Sequence, residues 1–150
     1  MMKMIHSRTA LGGALIAATL AFTGCGMMSN SKMSSATSPM SAAQEVPSNP
    51  SGATGSVVTN LNKETRMLRW TVTYSGMSGP VTAGHFHGPA ASGANAGVVV
   101  PFTSSLASPI EGSATLTEAH MADLLAGKWY ANLHTAKSPG GEIRGQVSGL

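Results

Sequence analysis

The chain has 150 residues, room for one folded domain plus a leader or tail. Only 10% of residues are charged and 18 are Gly, which fits a turn-rich all-β domain better than a helical one. The formal charge is +3, but two of the nine basic residues, Lys3 and Arg8, lie in a removable leader; the seven that remain face six acidic residues and form no cluster, which argues against a nucleic-acid partner.

Residues 1–24 read as an export signal: Lys3, His6 and Arg8 make a basic start, and Ala10 to Phe22 is a run of small and apolar residues too short to span a bilayer comfortably. The ending Phe22-Thr23-Gly24-Cys25 resembles a bacterial lipobox, with Phe22 where Leu is usual. Cys25 is the sole cysteine, so an exported chain offers it no intramolecular disulfide partner, and acylation accounts for it. The expectation is a lipoprotein of the cell envelope, held to the membrane by a palmitate-type anchor on Cys25. Gly26, rather than Asp, after the cysteine points to the periplasmic side of the outer membrane in a cell with two membranes. Residues 25–41 carry Ser and Met without periodicity and read as a disordered tether. Its Met27, Met28, Met33 and Met40 are soft thioether ligands of the kind that suits Cu(I), though methionine is also merely tolerated in linkers.

The folded domain is expected over residues 42–150. Thr54 to Leu61 reads as a strand, and Met67 to Tyr74 as its hairpin return, with Thr71 and Thr73 interleaved among Trp70, Val72 and Tyr74. Val81 to His87, Val98 to Phe102 and Ile110 to Leu116 read as further strands separated by Gly- and Pro-rich turns. Thr117 is a good N-cap for a short helix over Glu118 to Ala126, closed by Gly127, with His120 facing solvent. Trp129 to Thr135 and Glu142 to Val147 form a closing hairpin. Some seven strands in two sheets predict an all-β, Greek-key-like sandwich with one short helix. Trp70, Val72, Phe86, Val99, Leu133, Ile143 and Val147 are its expected core.

Alternation also places the chemistry. In an extended strand His85 and His87 project to one face while Phe86 points to the other, and Tyr130, Asn132 and His134 leave the face taken by Trp129, Ala131 and Leu133. If the two strands lie close, His85, His87 and His134 converge, a ligand set that suits Cu or Zn. The alternative is structural: the imidazoles bond loop carbonyls, or Glu142 and Arg144, and lock the closing hairpin onto the sheet. Glu142 and Arg144 share one strand face, as a polar pair of structural or ligand-contacting role. No Ser/His/Asp set, paired catalytic carboxylates, phosphate loop or dinucleotide fingerprint is visible, so the chain leans away from enzymes.

The runs Gln44-Glu45-Val46-Pro47, Ala83 to Ala90, Leu124 to Thr135 and Gly140 to Gln146 together resemble the CHRD domain, named after chordin and found in many exported bacterial proteins. The resemblance covers about Ala42 to Gln146. It implies a compact β-sandwich and no established enzymatic activity in bacteria. With the signal, Cys25, the tether and the lack of a catalytic set, the expectation is a binding module with a metal ion or another envelope protein as partner, or a purely structural or protein-interaction module without metal. The sandwich is expected to be immunoglobulin-like or Cu/Zn superoxide dismutase-like; a looser similarity, carried by His85, Phe86, His87, His134 and Gly141 to Val147, is to Cu/Zn superoxide dismutase, another β-sandwich, which takes copper on a His-x-His strand. It would imply a copper enzyme, but a fourth copper histidine and the zinc cluster have no counterpart here.

Overall fold

The computed structural model describes residues 32–150. The export signal, Cys25, Met27 and Met28 therefore lie outside the described residues. Eight strands follow in chain order: β1 (Met33–Ser41), β2 (Thr54–Asn62), β3 (Met67–Ser75), β4 (Val81–His87), β5 (Val98–Pro101), β6 (Ile110–Thr115), β7 (Trp129–Thr135) and β8 (Ile143–Val147). A 3-10 turn (Ala42–Gln44) follows β1, and one helix, α1 (Glu118–Leu125), precedes β7. The helix begins where the Thr117 side chain accepts the His120 backbone N–H, and it closes on Gly127 in the left-handed region. His120 is half-buried, not solvent-facing, with its ring centroid 5.8 Å from that of Trp129.

All strand pairings are antiparallel, in the order β5-β4-β7-β8-β1-β2-β3-β6. Consecutive strands β3 and β4 lie in different halves of this array, as do β5 and β6 and again β6 and β7, so the chain crosses over three times in the Greek-key manner. The sheet nearly closes on itself into a barrel-like sandwich. Aromatic rings span its interior: Trp70 on β3 meets Phe86 on β4 edge-on at 5.3 Å and Phe102 at 5.4 Å, and Phe86 lies 6.0 Å from Trp129. Such pairs add about 0.5–1.5 kcal/mol beyond the area they bury. Trp70, Val72, Phe86, Leu133, Ile143 and Val147 form the core as alternation predicts, while Val99 is only partly buried against it. The core also requires bare backbone: a Cβ at Gly84 would stand 2.5 Å from the Phe102 ring and 2.8 Å from Leu133.

The expected tether is where the structure differs most. Residues 33–41 are not disordered but form β1, which pairs with β2 along all nine residues. Ala36, Ser38 and Met40 point inward and the residues between them outward, so the strand is amphipathic, with two small inward side chains and one large one. On its other side β1 meets β8 at Ser41 opposite Arg144. This join turns the two expected sheets into one. The domain therefore starts at least nine residues before Ala42, and Met40, 1% exposed in the core, is no copper-capturing linker residue.

Met40→Ala should therefore cost about 2–5 kcal/mol of stability, as for other buried large-to-small changes. A denaturant melt in which this variant matches the parent would place Met40 back in a linker.

Candidate metal centre

Every residue of β7 is buried, although only one of its faces meets the hydrophobic core. Trp129, Ala131 and Leu133 take that face, and Tyr130, Asn132 and His134 the other. Strand β4 runs alongside in a register that sets Ala83 opposite His134, His85 opposite Asn132 and His87 opposite Tyr130. Strand β8 sets Arg144 opposite Asn132 on the other flank. Period-2 alternation on two adjacent strands therefore brings His85, His87 and His134 together, and one ligand atom from each lies within 4.8 Å of the others.

Hydrogen bonds orient the rings. His87 Nδ1 lies 3.0 Å from the Ala96 carbonyl oxygen, and His134 Nδ1 lies 2.9 Å from that of Pro139. A carbonyl oxygen only accepts, so each Nδ1 carries the proton and each neutral ring keeps a bare lone pair on Nε2. Both lone pairs turn inward. His134 Nε2 lies 3.2 Å from His85 Nδ1, and His87 Nε2 and His134 Nε2 are each 3.0 Å from Asn132 Oδ1. His87 and His134 are each only 9% exposed. Burial, with the neighbouring imidazoles, lowers the pKa of His85 below the ordinary 6.5. Burial also lowers that of His134, with His87 adding to the effect and the bond to Pro139 opposing it. Both shifts favour neutral imidazole, the form that coordinates metals.

The loop carbonyls are themselves held in place. The His87 ring stacks on Tyr130 at 4.9 Å and 4° between planes, and the Arg144 guanidinium lies 3.4 Å over the same Tyr130 ring. Arg144 donates from Nη2 to the Ala94 carbonyl at 2.7 Å and from Nη1 to Asn95 Oδ1 at 3.0 Å, and the Ala96 N–H donates to Tyr130 Oη at 3.2 Å. The turn around Pro139 is fixed by Glu142. Its carboxylate accepts from Ser51 Oγ, from Ser78 N and Oγ, each at 2.7 Å, and from Thr135 Oγ1 at 2.5 Å. Burial alone would raise the Glu142 pKa, but these bonds outweigh it and hold the group down at about 2.

Glu142 and Arg144 thus serve separate networks, one on each side of the histidines. The bonds between imidazoles and loop carbonyls, foreseen as the structural alternative, are present at Ala96 and Pro139. The Nδ1–H groups of His87 and His134 bond these carbonyls, and their Nε2 atoms face Asn132 and, for His134, His85; the contacts of the imidazoles do not go to Glu142 or Arg144. Asn132 was visible in the sequence as a neighbour of His134 on the same strand face, but not as the group between two imidazoles. Glu45 left no such signal. It is a buried carboxyl packed against Gly141, where a Cβ would stand 2.5 Å from its Oε1, an oxygen with no hydrogen-bond partner.

A family model for the CHRD domain matches residues 36–147. The chain belongs to the CHRD domain family. No curated protein and no solved structure matches it. The family match starts at Ala36, inside β1, which agrees with β1 as part of the CHRD fold. On this β-fold the three-histidine group is a feature of the outer polar face.

Burial raises the Glu45 carboxyl from its ordinary 4.5 to about 7, against the opposing effects of Arg144 and a bond from the Val46 backbone. The folded CHRD domain then holds this proton more tightly than the unfolded chain. The resulting stability is fully present below pH 4.5 and is lost as pH rises through 7. The melting temperature of Glu45→Gln should therefore gain on that of the parent between pH 5 and pH 8. A constant gap across that range would show that Glu45 titrates normally.

Proposed function

We propose that this CHRD domain is a binding module of the cell envelope that holds one Cu(II) or Zn(II) ion through His85, His87 and His134, tethered to the membrane by a lipid on Cys25. The observation that carries the metal reading is the inward aim of the imidazole lone pairs. Nδ1–H bonds to Ala96 and Pro139 orient His87 and His134, the arrangement by which metal-ligating histidines are held elsewhere. Tetrahedral donors at 2.0–2.1 Å from a metal stand about 3.3 Å apart. The 3.2 Å between His85 Nδ1 and His134 Nε2 is close to that spacing. The lipid anchor rests on the lipobox-like Phe22-Thr23-Gly24-Cys25 and the lone cysteine.

The full chain, purified in detergent, should bind about one Cu(II) or Zn(II), with affinity falling steeply only as pH drops below 6.5, into the lowered range of the His85 and His134 imidazoles. The variant with His85, His87 and His134 all changed to Ala should lose the metal and remain folded. Loss of folding without any metal uptake by the parent would favour the purely structural module. Dismutation of superoxide by the copper-loaded chain would favour the enzyme instead. In cells, Cys25→Ala should release the protein from membranes, and unchanged attachment would remove the anchor from the proposal.

A further inference from the structure

Asn132 stands between two of the imidazoles. Its Oδ1 is 3.0 Å from His87 Nε2 and 3.0 Å from His134 Nε2, and the residue is 3% exposed. Both nitrogens carry lone pairs once their Nδ1 atoms are committed to carbonyls, and a carboxamide oxygen offers only lone pairs as well. Three electron-pair donors thus converge, and His85 Nδ1 lies 3.2 Å from His134 Nε2, where one tautomer donates to it and the other offers a lone pair to a metal. A cation among them makes these contacts favourable; without one, the amide turned the other way, with Nδ2 toward the imidazoles, satisfies them instead.

We infer that the Asn132 carboxamide oxygen is the fourth ligand of the centre, which makes it a closed N3O site for a divalent ion. This rests on the metal reading given above. Position supports it: Asn132 lies opposite His85 in the β4–β7 register and two residues from His134 on the same face, so backbone geometry holds it at the centre of the histidines. The 3.0 Å contacts already approach the spacing of donors around one tetrahedral ion, about 3.3 Å. The widest imidazole pair, at most 4.8 Å apart, has to close by about 1.5 Å, which side-chain rotation can supply. Four protein donors leave no open coordination position, as in structural rather than catalytic zinc sites. An amide oxygen is also a harder donor than the sulfur ligands that select Cu(I), so the set suits Zn(II) or Cu(II). The centre is then built for capture or storage of a divalent ion.

The test uses the full chain in detergent, titrated with Co(II) as a spectroscopic probe and with Zn(II) in competition. Asn132→Ala should weaken Zn(II) binding by tenfold or more and reduce the visible Co(II) absorption, as water replaces the amide and coordination departs from tetrahedral. Asn132→Asp, nearly the same in shape, should bind Zn(II) at least tenfold more tightly than the parent, because it supplies a charged oxygen at the same place. The sign separates ligand from spacer: an amide that only capped the imidazole lone pairs would compete with the ion, and its removal would tighten binding. Tighter or unchanged binding by Asn132→Ala, with metal still bound by the parent, overturns the fourth ligand and leaves the three-histidine reading standing. Should Asn132→Ala fail to fold, Asn132→Asp decides alone, and affinity no higher than the parent's overturns the inference. A parent that takes up neither ion overturns both readings.

Discussion

A polar group taken out of water costs about 1–3 kcal/mol when it finds no hydrogen-bond partner. Strand β7 carries three such groups, Tyr130, Asn132 and His134, on a face closed to solvent. Their partners come largely from loops: Ala96 meets Tyr130, and Pro139 meets His134. The polar face of one central strand therefore dictates where residues 94–96 and 135–142 must lie. Its other face, with Trp129, Ala131 and Leu133, only has to fill space in the core.

Two buried glutamates show how burial can end in pKa shifts of opposite direction. Glu142 is fully buried yet remains ionised, because donors from Ser51, Ser78 and Thr135 replace the water it lost. Glu45 has an oxygen without a partner, and burial raises its pKa to about 7. Glu142 thus acts as a clamp over the physiological range, holding three segments together behind the turn that orients His134. Its contribution is present above pH 4.5 and is lost only as pH falls through about 2, the reverse of the Glu45 case. Arg144, the cation nearest Glu45 in effect, is occupied with Ala94, Asn95 and the Tyr130 ring, so it only partly offsets that burial.

Where a strand alternates strongly, the sequence alone was enough. Trp129 to His134 separates large apolar from polar residues, and Phe86 points away from His85 and His87, so these faces could be read from the sequence; that His85, His87 and His134 meet depended on the pairing of β4 with β7. Strand β1 could not be read this way. Its inward residues are Ala36, Ser38 and Met40, two of them small enough to look like linker, and Pro39 in mid-strand looks like a breaker. Its strand character comes from the nine-residue ladder with β2, a long-range pairing with no local signal. Missing β1 also hid the join between β1 and β8, and so split one sheet into two. Glu45 and the shielding of Asn132 depend on which loops fold over the sheet, and no periodicity encodes that.

The separation of faces also bears on what the CHRD fold can host. Phe86 sits between His85 and His87 in sequence, yet it packs against Trp70, Phe102 and Trp129 while the histidines face the polar network. Core packing and site chemistry are thus carried by alternate residues of the same two strands. The interior contacts are made by one set of residues and the histidine centre by the other, so the fold alone does not specify the chemistry of its outer face. Asn132 and His134 could be replaced without altering the contacts of Leu133, two-faced strands being nearly decoupled in this respect. The loops respond differently. The Ala96 and Pro139 carbonyls accept from the ring nitrogens of His87 and His134, so these loops are tied to the imidazoles directly, whereas the core is not.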